Sequence, residues 1–218
     1  ATNHKDGSHN VVIGPGHRYS QAGGLLAGRA NAVTMEGGSV LGGQENIAAG
    51  PFASVSGGDR NIAIGKFSAV SGGQSNEAAG ENSIVTGGLE NIASGKLSAV
   101  SGGWTNEAAG TRSIVTGGLE NKVTGGDSVV SGGQRNEVEG GTSVVTGGAS
   151  NTVYGRQSVI VGGVRNRAEF LGQTTGQSVI VRGAWNHTNA RRSVVSGGYE
   201  VYTSYTDEWA AGGLHEYR

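Results

Sequence analysis

Ser68-Ala69-Val70-Ser71-Gly72-Gly73-Gln74-Ser75-Asn76-Glu77-Ala78-Ala79-Gly80-Glu81-Asn82 is one period of a motif that runs through most of the 218-residue chain. It divides into two similar halves, Ser-x-Val-x-Gly and Asn-x-Ala-x-Gly. Each half is a short run of alternating character closed by glycine and polar residues. Alternation is strand-like, and glycine followed by polar pairs marks turns. The unit therefore reads as strand, turn, strand, turn, one coil of a narrow two-sided parallel roll.

The period is regular along the sequence. The second glycine of a Gly-Gly pair, or its equivalent, stands at Gly28, Gly43, Gly58, Gly73, Gly88, Gly103, Gly118, Gly133, Gly148, Gly163, Gly183, Gly198 and Gly213. Every step is 15 residues except Gly163 to Gly183, which is 20. An asparagine follows three residues later at Asn31, Asn46, Asn61, Asn76, Asn91, Asn106, Asn121, Asn136, Asn151, Asn166 and Asn186. A fixed short period means one structural unit stacked on copies of itself. The spacing predicts an all-β parallel β-roll, or β-solenoid, of about 13–14 coils over residues 11–213. Residues 1–10 and 214–218 are expected as tails, with an irregular insertion at 167–177.

The columns formed by stacking predict which side chains face inward. One is Val55, Val70, Val85, Val100, Val115, Val130, Val145, Ile160, Ile180 and Val195, and the facing one is small, running from Ala48 to Ala168 with Val123, Val138 and Val153 among them. A large residue opposite a small one suits a thin interior. The asparagines Asn46, Asn61, Asn76, Asn91, Asn106, Asn121, Asn136, Asn151 and Asn166, with a matching serine column from Ser68 to Ser193, fall on the same inward parity. They read as corner ladders that satisfy turn backbone groups, and not as ligands.

The outward columns differ. On the second strand they read as polar: Glu77, Glu107, Lys122, Glu137, Thr152 and Arg167. On the first they are uniform and apolar: Ala69, Ile84, Ala99, Ile114, Val129, Val144, Val159, Val179 and Val194, beside a Ser/Thr column. A contiguous exposed apolar stripe marks an interface. Ile84, Ile114, Val129, Val144, Val159, Val179 and Val194 are therefore expected as a subunit interface or a flat binding face. Each coil buries little inside, so a second buried face would offset much of the cost of ordering the chain.

Composition narrows the function. Glycine supplies 43 residues without a Gly-X-Y period, which excludes collagen. Net charge is −1, with 16 basic and 17 acidic side chains scattered singly, so no nucleic-acid partner is expected. No apolar run is long enough for membrane insertion as a helix. The absence of cysteine excludes thiol catalysis and a disulfide framework and is compatible with export. Ala1-Thr2-Asn3 opens the chain as a processed mature protein or an excised domain would. His4, His9, His17, His187 and His215 show no metal spacing, and the serines are repeat residues rather than a singular nucleophile. Neither a cofactor nor an enzymatic activity is expected.

Variation concentrates in the turns: Asp59-Arg60, Leu89-Glu90, Trp104-Thr105, Gln134-Arg135, Val164-Arg165, Ala184-Trp185 and Tyr199-Glu200. Exposed aromatics stack on sugars or protein partners. Trp104, Trp185 and Tyr199, expected along one edge, are candidate ligand-binding residues, with Arg167, Phe170 and Leu171 from the insertion. Residues 68–97 and 98–127 are close copies sharing Thr-Gly-Gly-Leu-Glu-Asn, as growth by duplication of two-coil blocks would leave them.

Asn10-Val11-Val12-Ile13-Gly14 and the Ser-x-Val-[Ser/Thr]-Gly-Gly units, such as Ser128-Val129-Val130-Ser131-Gly132-Gly133, resemble the YadA-like heads of trimeric autotransporter adhesins. That resemblance covers residues 10–213. It implies a left-handed roll, a homotrimer, an extracellular or cell-surface location and a host-surface or matrix glycan or protein as partner. A phage tail fibre or surface filament is a variant of the same reading. Asn121-Lys122-Val123-Thr124-Gly125 and Asn151-Thr152-Val153-Tyr154-Gly155 are also similar to the grass ice-recrystallisation-inhibition rolls. That second resemblance implies a water-ordering Ile/Val/Ser/Thr face instead.

Overall fold

The computed structural model describes residues 3–169 and 177–212. Phe170 and Leu171, most of the 167–177 insertion and the tail at 214–218 lie outside the described residues. The chain divides into two compact units, Ala1–Arg112 and Ser113–Arg218. Both are all-β, and no helix occurs among the described residues.

In the first unit, strands of two or three residues alternate between two parallel ladders. One runs through His4–Lys5, Arg18–Tyr19, Ala32–Val33, Ile47–Ala48, Ile62–Ala63, Glu77–Ala78, Ile92–Ala93 and Glu107–Ala108. The other runs through Val11–Ile13, Leu25–Ala27, Ser39–Val40, Ser54–Val55, Ala69–Val70, Ile84–Val85 and Ala99–Val100. The second unit repeats the plan. Lys122–Val123, Glu137–Val138, Thr152–Val153, Arg167–Ala168, His187–Thr188 and Tyr202–Thr203 form one ladder, and the strands from Ile114–Val115 to Trp209–Ala210 form the other. Each unit is thus a parallel β-solenoid of stacked coils, as the repeat predicts.

The register corrects two expectations at the N-terminus. His4↔Arg18 and Lys5↔Tyr19 are paired, so the coiling already includes residues expected as a tail. The early steps are also 14 residues rather than 15: Val12↔Leu26 and Leu26↔Val40. The physical cause is one missing corner residue, since Leu26-Ala27-Gly28 has a single glycine where Val40-Leu41-Gly42-Gly43 has two. From Val40↔Val55 onward the step is 15. At the insertion Val159 pairs Val179 and Arg167 pairs His187, so the extra five residues leave the ladders in register.

The core is as thin as the columns imply. The valine-type column from Val55 to Val195 and the facing column from Ala48 to Ala168 are both fully buried. The second-strand outward column, expected to be polar, is only partly so. Ile47, Ile62 and Ile92 share it in the first unit, and Ile92 is exposed.

Two corners close each coil, and they use different chemistry. At the Gly-Gly corner the buried asparagine amide works in three directions. Asn91 Nδ2 donates to the Gly87 carbonyl at 2.9 Å and to the Gly103 carbonyl of the next coil at 2.9 Å. Its Oδ1 accepts the Asn106 backbone N–H at 3.0 Å. The second unit repeats this at Asn136, which bonds Gly132 and Gly148, each at 3.0 Å. The ladder spans the insertion, where the Asn186 N–H reaches Asn166 Oδ1 at 3.1 Å. At the N-terminus His17 takes the asparagine's place. Its Nδ1 accepts the Asn31 N–H at 3.2 Å, and its Nε2 lies 3.1 Å from the Ile13 carbonyl. These partners assign the proton to Nε2. Asn3 continues the column by accepting the His17 N–H at 2.9 Å.

Glycine is required here for two separate reasons. Gly58 has φ +88°, and a Cβ there would overlap the Gly73 carbonyl oxygen. Gly65 has no such φ, but a Cβ would overlap the Gly80 carbonyl, so close approach of successive coils excludes a side chain. The residue before each asparagine is left-handed whatever its type, as at Arg60 (φ 55°), Glu90 (φ 56°) and Trp185 (φ 60°). The same holds one position before each serine, as at Phe67 (φ 58°) and Arg192 (φ 52°).

The serine corner exists in two forms. In the first unit the Ser83 backbone N–H closes a turn on the Gly80 carbonyl at 3.1 Å. The buried hydroxyls of Ser68, Ser83 and Ser98, and of Ser113 at the start of the second unit, then have no partner, and Ala53 fills the column without loss. In the second unit the Ser143 hydroxyl donates to the Gly155 carbonyl at 2.9 Å and accepts the Ser158 N–H at 3.1 Å. Exposed ion pairs add rungs along the edges. One is Lys96 Nζ to Glu81 at 2.9 Å, where the hydrogen bond and then the charge of Lys96 hold the Glu81 carboxyl below its ordinary range. A depressed carboxyl favours folding above that range and loses the effect on acidification, but at full exposure solvent screens it.

These corners give opposite expectations for equivalent truncations. Ser83→Ala is expected to change stability by less than about 0.5 kcal/mol or to raise it, because it removes an unpartnered buried hydroxyl. Ser143→Ala should cost about 1–3 kcal/mol, because it orphans an N–H and a carbonyl. Asn91→Ala, which orphans the Gly87 carbonyl and the Asn106 N–H while the Gly103 carbonyl keeps its bond from the Leu89 N–H, should cost about 2 kcal/mol or more. Urea unfolding followed by far-UV circular dichroism checks all three, and equal effects of the two serine variants would contradict the assignment.

Candidate functional site

The Gly-Gly corner sends two side chains outward in each coil. The first belongs to a one-residue parallel bridge, as in Val164↔Ala184 and Ala184↔Tyr199. The second is the left-handed residue, as at Arg165 and Trp185. Because the whole column shares that conformation, the strain at Trp185 belongs to the fold and does not by itself mark a site. The Trp185 N–H is fixed on the Val164 carbonyl at 3.0 Å.

In the second unit these corner residues meet the outward face of the adjoining ladder. Arg165 and Trp185 stand on successive rungs, with the guanidinium carbon 4.7 Å from the indole centroid. Arg167, His187 and Tyr202 follow each other in one outward column through the pairs Arg167↔His187 and His187↔Tyr202. The His187 and Tyr202 rings meet edge to face at 6.1 Å. Arg165, Arg167, Trp185, Asn186, His187 and Tyr202 line a cleft of about 220 Å³.

Glu169 organises one wall. Its side chain is 9% exposed, and its N–H is tied to the Thr188 carbonyl at 2.9 Å. One carboxylate oxygen binds Arg167 Nη2 at 2.7 Å and the other meets His187 Nε2 at 2.8 Å. With the carboxylate accepting, Nε2 carries the proton. Arg167 also lies over the Tyr154 ring at 4.9 Å. Arg167 is therefore held from two sides. Arg165 makes no ion pair among the described residues, and its N–H edges stay open beside the indole.

Arg167 and Trp185 are thus brought together, Tyr199 and Trp104 are not among the residues that line the cleft, and Phe170 and Leu171 lie outside the described residues. Tyr199 is one rung beyond Trp185, exposed, and faces Glu200, whose negative charge pushes the phenol above its ordinary pKa. Trp104 belongs to the first unit, is 52% exposed and has no ring or cation partner among the described residues. Arg165, Glu169, His187, Tyr202 and Tyr154 were not singled out by sequence reasoning. Arg165 was visible only as a varying turn residue, and Glu169 sits at the entry to the insertion. The opposite corner of the first unit carries a further unanticipated feature. Phe52 and Phe67, 15 residues apart, stack at 5.4 Å, with Lys66 Nζ 5.0 Å from the Phe67 centroid. Among the described residues no three His, Asp or Glu side chains converge as metal ligands.

The cleft can offer planar cationic edges, an aromatic face and a ring N–H, all on short strands fixed by coil stacking. Glu169→Ala should release Arg167 and His187 together and lower stability by about 2 kcal/mol, the scale of hydrogen bonds to a charged group. Urea unfolding measures the loss, and an unchanged midpoint would mean that Glu169 does not organise the wall. The chain matches no family model, and no curated protein is significantly similar to it.

Proposed function

We propose that this chain is a non-catalytic structural and adhesive protein of a cell, phage or fibre surface. It assembles as a homotrimer and displays its corner residues to an external ligand. The observation that carries the reading is the outward column of the second unit. Ile114, Val129, Val144, Val159, Val179 and Val194 follow one another without a polar interruption, and all are at least partly exposed. Parallel strands lie about 4.8 Å apart, so the column presents about 25 Å of regular apolar surface. The neighbouring Thr116, Ser131, Thr146, Val161, Val181 and Ser196 carry no charge.

A surface with this repeat is best covered by one with the same repeat. A second copy of the chain meets that condition at every rung, and closed symmetry limits the assembly to a finite ring. The resemblance of the repeat units to trimeric adhesin heads favours three as the number. Rigid stacked coils then place the corner side chains at fixed intervals, which suits multivalent attachment.

Light scattering on the purified chain is expected to give three times the 21.9 kDa chain mass. Val144→Lys should shift that mass toward the monomer while leaving the circular dichroism spectrum unchanged. A wild-type monomer would overturn the trimer and leave the stripe open. The flat Ile/Val/Ser/Thr face would then make an ice-recrystallisation assay the next measurement.

A further inference from the structure

We infer that the cleft between Arg165, Arg167, Trp185 and Tyr202 binds a carboxylate-bearing sugar ring of an acidic polysaccharide. The inference rests on the reading of this chain as an adhesive surface protein and names the ligand class of its second unit.

Charge comes first. Two guanidinium groups line the cleft, and its one adjoining buried carboxylate, Glu169, already holds Arg167 and His187. Arg165 is different: among the described residues it makes no ion pair, and it lies over the face of Trp185 at 4.7 Å. A guanidinium stacked on an indole keeps its N–H edge in plane and directed away from the ring, the geometry that grips a carboxylate by two parallel hydrogen bonds. Arg167 supplies a second cationic edge held in place by Glu169 and Tyr154. The neighbouring corner is unsuitable for an anion, because Glu200 stands there against Tyr199.

Shape and surface select the rest of the ligand. Indole and phenol rings at the cleft present apolar faces suited to the C–H face of a sugar. The volume of about 220 Å³ is below the range of about 300–1,000 Å³ usual for small-molecule pockets. It therefore suits one ring of a longer chain lying across the surface. An acidic peptide would satisfy the guanidinium edges but would leave the aromatic faces unused.

Isothermal titration of the full chain with a hexamer of galacturonate tests this, with its methyl ester and a glutamate hexapeptide as comparisons. The acid oligosaccharide is expected to bind, and the ester and the peptide to bind at least tenfold more weakly. Arg165→Ala and Trp185→Ala should each weaken binding at least tenfold. Arg165→Lys, which keeps the charge and loses the fork, should fall between wild type and Arg165→Ala. These side chains lie outside the core, so unfolding midpoints should be unchanged. Trp104→Ala, in the first unit, should bind as wild type. Equal binding of ester and acid, equal or tighter binding of the peptide, no binding of the acid oligomer, or indifference to Arg165→Ala would each overturn the inference. A trimer that fails to bind would refute this site and leave the assembly reading standing. A monomer that binds would do the reverse.

Discussion

A buried amide at the Gly-Gly corner is the interaction on which the other features of each coil depend. At that corner the chain reverses direction, and the amide bonds the first-glycine carbonyl of its own coil, such as Gly87, and adds a second bond to the Gly103 carbonyl, which already accepts the Leu89 N–H. One asparagine supplies two N–H donors to carbonyls of its own coil and the next, and its oxygen receives the following asparagine's backbone N–H. No apolar residue can do this, and an unsatisfied backbone group in such a place costs about as much as the hydrogen bond it lacks. The bond pattern also fixes the distance between coils, because each amide spans to its neighbour. His17 demonstrates the constraint by substitution: an imidazole is accepted only because its two nitrogens reproduce one acceptor and one donor at the same places.

The glycines follow from that spacing. Coils held this close bring the carbonyl of one turn to where the Cβ of the next would stand, so Gly65 is glycine even without a left-handed backbone. The inner columns follow as well. Two sheets linked by such tight corners leave room for a valine facing an alanine, and those columns are fully buried. With the interior determined by the corners, sequence is free to vary on the outside. It does so differently in the two units: the second unit keeps an unbroken aliphatic column, and the first mixes isoleucine with glutamate on its other face.

The serine corner shows how little of this freedom is random. The same residue type in the same column serves two bonding schemes. At Ser128, Ser143 and Ser158 the hydroxyl joins a ladder between coils by accepting the backbone N–H of the next serine. At Ser68 and Ser83 the backbone N–H closes the turn on the glycine three residues earlier and the hydroxyl is left without a partner. Identity of side chain is therefore a poor guide to its role when the backbone ahead of it differs.

The strict recurrence of asparagine and glycine by itself determined the coil, the two parallel ladders and the buried columns, because a one-dimensional period translates directly into stacking. It also located Trp185 and Arg167 as residues that depart from the repeat. The sequence alone did not reveal the 14-residue steps at the N-terminus, since the missing residue is a corner glycine and leaves the alternation of the strands intact. The cleft was likewise decided only by the tertiary structure. Arg165 and Trp185 are 20 residues apart, and Arg167, His187 and Tyr202 are separated by 20 and 15. Stacking alone turns those separations into adjacent rungs, and a period five residues longer leaves the register unchanged. Whether a guanidinium is bound by a carboxylate or left open on an indole depends on side-chain directions across rungs. Those directions are a property of packed coils, and a linear motif does not encode them.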